Sequence, residues 1–130
     1  MAYYFSTRIQ GKSIEDVIAL TTAALKQEGF GIITTINMHA AMHEKLGKEI
    51  LPYTILGACN PGFAYEALQH EPHIGVMLPC NVVVRALNET ETEVFAVDPV
   101  ASMQAVPNPD LGPMAQTVQA KMQAVIAALT

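Results

Sequence analysis

Two strand-forming runs, residues 75–87 and 90–98, are separated in this chain only by Asn88 and Glu89. Strands joined so tightly form a hairpin, and a hairpin commits its neighbourhood to an antiparallel sheet. The first run, from Gly75 to Leu87, reads as the longest strand, and Asp98-Pro99 ends the second.

The rest of the chain supplies further strands and the helices to back them. Residues 2–8 read as a first strand, and Gln10-Gly11-Lys12 turns the chain into a helix. Ser13 is a good N-cap for it, Glu15 and Asp16 suit its positive end, and Ile14, Val17, Ile18, Thr21 and Leu25 recur at helical spacing up to Gly29. Residues 32–36 form a short β-rich run, after which Asn37 can cap a helix from Met38 to Leu46 that Gly47 closes. Residues 53–59 read as a strand. Asn60 then caps a helix with Pro61 at its first position, where a missing N–H costs nothing, running to about Gln69. A loop rich in Pro and Asn, 103–110, leads to a last helix with Leu111, Ala115, Val118, Met122, Val125, Ile126 and Leu129 on one stripe. This order reads as α+β: a single domain over residues 1–130, with a mainly antiparallel sheet packed on one face by helices.

Composition narrows the function classes. A chain of 130 residues buries roughly two-thirds of its unfolded surface, enough for a core without staples. Seven Lys+Arg against twelve Asp+Glu give a formal charge of −5, with no basic run. Nucleic-acid binding is therefore not expected, because phosphate contacts supply most of that affinity. No apolar run is long enough to cross a membrane, and the first residues lack the pattern of a signal peptide, so neither a span nor an export signal is expected. Half the residues are hydrophobic and only 15% are charged, which favours self-association. The two cysteines read as reduced thiols in a cytoplasmic protein.

Each cysteine precedes an asparagine: Gly57-Ala58-Cys59-Asn60-Pro61 and Leu78-Pro79-Cys80-Asn81-Val82. Cys59 stands just before a helix start, where unpaired N–H groups and the helix dipole favour its thiolate. Asn60 can bond the helix N–H groups or a ligand, and Gly57 leaves room for a close approach. Cys80 owes its interest to Pro79. A proline inside a strand marks an edge or a bulge, and a bulge would turn both Cys80 and Asn81 toward one cavity. A buried Asn81 without partners would cost about 1–3 kcal/mol. The opposing reading is that both cysteines only pack, since free Cys behaves as a small buried hydrophobe. Their spacing of 21 residues matches neither a local redox motif nor a zinc knuckle.

His39, Met42 and His43 share one face of the second helix and form a weak candidate metal site, with Met42 favouring a soft ion such as Cu(I). His70 and His73 flank Glu71-Pro72 in a turn and read as exposed loop residues. Glu66 and Glu71 read as solvent-facing charges, and Asp98 before Pro99 as the acceptor of an Asx-type turn. No nucleophile elbow, phosphate-cradling loop or carboxylate pair accompanies them. Catalysis, if there is any, rests on Cys59 and Cys80.

The words Pro52-Tyr53-Thr54-Ile55-Leu56-Gly57-Ala58-Cys59-Asn60-Pro61, then Ala64, Leu68, Glu71-Pro72, Ile74-Gly75 and Leu78-Pro79-Cys80-Asn81-Val82-Val83-Val84, resemble domain of unknown function family 302 (DUF302). The likeness extends to Glu44-Lys45-Leu46-Gly47 and Asp98-Pro99 and spans nearly the whole chain. It implies a TATA-binding-protein-like α+β topology, usually as a homodimer, and no assigned activity. A fold name of this kind does not import DNA binding. The His39, Met42 and His43 set and the hairpin turn without glycine depart from the family pattern.

Three functions are compatible with these residues. The first is a homodimeric small-ligand-binding or thiol-sensing domain, with Cys59, Asn60, Cys80, Asn81 and Gly57 lining a pocket between the sheet and the helix that starts at Pro61. The second is a thiol redox or sulfur-transfer enzyme in which Cys80 resolves a bond formed at Cys59. The third is an interaction scaffold whose cysteines are structural. None of them names a cofactor, and the ligand's identity is not written in the residues.

Overall fold

A computed structural model describes residues 2–130 of the chain. Five strands, β1 (Tyr4–Gln10), β2 (Gly31–Asn37), β3 (Tyr53–Cys59), β4 (Cys80–Ala86) and β5 (Glu91–Val97), form one sheet in the order β1-β5-β4-β3-β2, every neighbouring pair antiparallel. Between and after them lie α1 (Ile14–Gln27), α2 (Met38–Leu46), α3 (Pro61–His70), the short α4 (Pro99–Ser102) and α5 (Gly112–Ala128). The α+β arrangement expected from the sequence is the one observed.

The helix starts follow from local chemistry. The Ser13 hydroxyl accepts from the Asp16 N–H at 3.1 Å and opens α1, and Asn37 Oδ1 accepts from the Ala40 N–H at 2.9 Å and opens α2. Gly47 closes α2 at φ 65°, a left-handed conformation that disfavours a residue with a Cβ. Asp98 Oδ1 accepts from the Val100 N–H at 3.0 Å and also from Gln119 Nε2 at 3.1 Å. This buried carboxylate therefore caps α4 and ties it to α5.

Alternation along the strands sorts the sheet into two faces. Leu56, Ala58, Val82, Val84, Val94, Ala96 and Ile9 point to one side, where they meet Val17 and Leu25 of α1 and Val118, Met122, Val125 and Ile126 of α5. Complete burial of a side chain such as Val84 contributes roughly 1.5–3 kcal/mol. Thr21, also fully buried in this layer, donates its hydroxyl to the Val17 carbonyl at 2.7 Å, so no polar group is stranded there. On the other side, Arg85 Nε donates to Glu93 Oε1 at 2.7 Å, its guanidinium lies 5.9 Å from the Phe95 ring centre, and Tyr4 and Tyr53 pack edge-on against that ring.

The longest expected strand is shorter than its apolar run. Residues 72–77 form a 3-10 helix, the Leu78-Pro79 peptide is cis, and β4 begins only at Cys80. Pro79 has no N–H to give to a ladder, so pairing starts after it rather than bulging around it. The register irregularity in the sheet lies instead in β2, between Ile32 and Thr34.

The β4–β5 hairpin forms as expected, and Asn88 explains how it does so without glycine. Its Oδ1 accepts from the Thr90 N–H at 2.9 Å, the Glu91 N–H at 2.9 Å and the Thr90 hydroxyl at 3.1 Å. The side chain replaces turn bonds that a left-handed glycine would otherwise arrange. Asn88→Ala is expected to lower the unfolding free energy by about 1 kcal/mol in urea denaturation. An unchanged midpoint would mean that strand pairing alone sets the turn.

Candidate functional site

Cys59 is the last residue of β3, and Asn60 and Pro61 follow it directly into α3. On the adjacent strand, Ala58 pairs with Cys80 and Gly57 with Asn81. Antiparallel pairing therefore brings together two words that lie far apart in the chain.

Cys59, Asn60 and Cys80 open on one cavity of about 70 Å³. Ala58 and Phe30 form its base beside them; Phe63, Ala64 and Ala67 of α3 form one wall, and Met114, Ala115 and Val118 of α5 another. Pro99, Met103, Leu111, Ile74 and Leu78 complete the lining from the connecting segments. Asn108 fastens these segments over the site, donating from Nδ2 to the His70 carbonyl at 2.9 Å and to Glu71 Oε1 at 3.4 Å. These bonds, with those from His73, hold the Glu71 carboxyl below its usual pKa, so Glu71 is a structural acceptor rather than a free surface charge.

The two thiols are both unbonded, and Cys80 packs against the main core. Burial pushes the Cys80 thiol from an ordinary 9.0 up to about 11, with the charge of nearby Cys59 adding to the shift. Cys80 is thus a neutral thiol at neutral pH. Asn60 occupies the N-cap position of α3 but makes no capping bond; its Nδ2 instead donates to the Glu28 carbonyl at a long 3.5 Å. The amide is therefore only weakly engaged beside the cavity.

Two expected members lie elsewhere. Asn81 follows Cys80 in a regular strand, so it points to the opposite face and is exposed; with no bulge at Pro79, nothing turns it inward. Gly57 is buried in β3, but the space it leaves is already filled. A methyl group there would overlap Thr34 Oγ1 and come within 2.8 Å of Pro79 Cγ. The glycine admits two neighbouring residues rather than a ligand.

The histidines do not join this site. His39 Nδ1 bonds the Ile50 carbonyl and His43 Nδ1 bonds Glu49 Oε1, while Met42 shares their helix without a third ligand among the described residues. His73 is exposed beside Glu71, and His70 pairs with Asp110 at 3.6 Å at the end of α3. Glu66 is exposed, as its spacing suggested. Sequence reasoning missed Phe30, Phe63, Met103 and Met114. Their signal was available only as two methionines bracketing the Pro/Asn loop, which by itself reads as ordinary core packing.

Gly57→Ala is expected to destabilise the fold by roughly 1–3 kcal/mol, and Thr34→Ala in the same chain to recover part of that loss. Wild-type stability in Gly57→Ala would show that Thr34 and Pro79 move aside freely. Cys80 also links stability to pH. Its pKa is raised on folding, so between pH 9.0 and about 11 the unfolded chain has lost a proton that the folded chain keeps. The contribution is fully present below that window and lost on rising through it. Cys80→Ala should therefore flatten the fall in unfolding free energy over this range, measured by denaturation of both proteins side by side; identical slopes would contradict the burial of the thiol.

Comparison with known proteins agrees with this architecture. The crystal structure of an uncharacterized conserved DUF302 protein from Bacillus stearothermophilus superposes on the chain with a TM-score of 0.89 at 25% identity, covering 100% of each chain. No curated protein matches the sequence. The family model described as "Domain of unknown function DUF302" matches residues 5–129, and the chain accordingly belongs to that family.

Proposed function

We propose that this chain is a homodimeric small-ligand-binding or thiol-sensing domain whose ligand enters the cavity beside Cys59, Asn60 and Cys80. The observation that carries this reading is that the chain's only two cysteines border one apolar hollow. Cys59 is the thiol offered to the ligand, because it stands at the start of α3 while burial holds Cys80 neutral. Asn60, weakly bonded, is free to orient a polar group. The ligand is small: the cavity's 70 Å³ falls well short of the roughly 300–1,000 Å³ typical of sites for drug-sized molecules.

The homodimer and the cytoplasm belong to the same proposal. Tyr4 and Ile36 lie exposed on the sheet face opposite α1 and α5, leaving apolar surface for a second copy. No helix among the described residues is long and apolar enough to cross a membrane, and two free thiols suit a reducing compartment.

The adjacency of β3 and β4 also favours a second reading, a thiol redox or sulfur-transfer enzyme. Cys59 would attack a disulfide sulfur and expel a thiolate, and Cys80 would then displace the bound half to leave a Cys59–Cys80 disulfide. The raised Cys80 pKa works against this second step at neutral pH, since the thiolate is the attacking species.

Alkylation kinetics test the leading reading. With iodoacetamide at neutral pH, the wild-type chain should show one phase faster than free cysteine, and Cys59→Ser should abolish it while leaving the slow Cys80 reaction. Alkylation of Cys59 at no more than the free-thiol rate would remove the basis for both thiol readings.

A further inference from the structure

Two methionines join the two cysteines in the lining of the cavity. Met103, which opens a 3-10 turn, and Met114, in the first turn of α5, line it alongside Cys59 and Cys80. Both cysteines of the chain and two of its seven methionines thus gather at one hollow. No group of three His, Cys, Asp or Glu able to hold a metal occurs among the described residues. Beyond the two thiols, the side-chain donors at this wall are the two thioethers and the Asn60 amide.

We infer that the cavity is a site for a soft monovalent cation, Cu(I), held by the sulfurs of Cys59 and Cys80 with Met103 and Met114 as thioether donors. The inference deepens the reading of this cavity as the ligand site and rests on it. Thiolate and thioether ligands select Cu(I), whereas Mg²⁺ and Ca²⁺ need several oxygen donors and the wall offers only the Asn60 amide. Zinc sites take Cys, His and carboxylate donors, and only two of those stand here. Binding of the ion displaces the thiol protons to solvent, that of the neutral Cys80 included, and the thiolates so formed supply the counter-charge that a cation needs in an apolar surrounding. The phenyl and aliphatic wall limits water, which favours Cu(I) over the more strongly hydrated Cu(II). Because the donors come from β3, β4, α5 and the segment before α5, the fold itself holds them in place.

The test uses the reduced, untagged full chain, titrated without oxygen with Cu(I) supplied as its acetonitrile complex against the chelator bathocuproine disulfonate. The expected result is one Cu(I) retained per chain, with X-ray absorption showing sulfur as the only nearest-neighbour ligand. Cys80→Ser, and separately the double variant Met103→Leu with Met114→Leu, should each weaken retention by roughly tenfold or more, the scale that even outer-shell changes reach. A His39→Ala, His43→Ala double variant should retain copper as the wild type does. Loss of all Cu(I) from the wild type to the chelator, or nitrogen and oxygen ligands in the absorption spectrum, would overturn the inference without any reliance on a variant that folds. Rapid alkylation of Cys59 together with no retained copper rejects the cation and leaves the thiol site standing. Copper retained through sulfur supports the cation whatever the alkylation rate.

Discussion

The pairing of β3 with β4 is the constraint on which the site depends. Antiparallel register sets Ala58 against Cys80, so the end of one strand and the start of the next deliver both cysteines to the same edge of the sheet. The hairpin that joins β4 to β5 anchors that register, because β4 is then held on both sides. A slip of one residue would exchange Cys80 with Asn81 and replace a thiol at the cavity by an amide. The buried valines at 82 and 84 oppose such a slip, since it would turn them outward.

How much of this was legible in the sequence depended on whether the signal was local. Ser13, Asn37 and Asp98 were read as caps or turn acceptors and accept the expected bonds, because an N-cap is decided within a few residues. The last helix was equally plain from its stripe, with Ala115, Val118, Met122, Val125 and Ile126 buried as expected. Gly75 to Leu87 misled because a continuous apolar run cannot show where pairing begins, and the missing N–H of Pro79 set the strand's true start. Asn81 followed from the same error, as an inward turn required a bulge that does not form. Gly57 was correctly read as a point of close approach, yet the approaching groups, Thr34 and Pro79, come from other segments and could not be named from spacing.

The cavity itself was the least legible feature. Its far side is built by the connection between β5 and α5, which carries Pro99, Met103 and Leu111, and this connection is clamped to α3 by the Asn108 amide. Such long-range closure leaves no periodic trace. It also explains why the Pro/Asn loop is more than a linker: Ile74, Ala67 and Leu111 form a second small apolar cluster beneath it, with Met103 and Met114 packed alongside. Two layers therefore meet at the cysteines, the main core below Cys80 and this smaller cluster beyond it.

The central claim is that both cysteines border one apolar hollow, and xenon tests it most directly, since the gas enters small dry cavities without needing any chemistry. Crystals of the reduced protein pressurised with xenon are predicted to show the atom lodged among Phe63, Cys80 and Met114, with Cys59 at the same opening. Crystals without xenon at that position, with Cys59 and Cys80 on separate surfaces, would contradict the account.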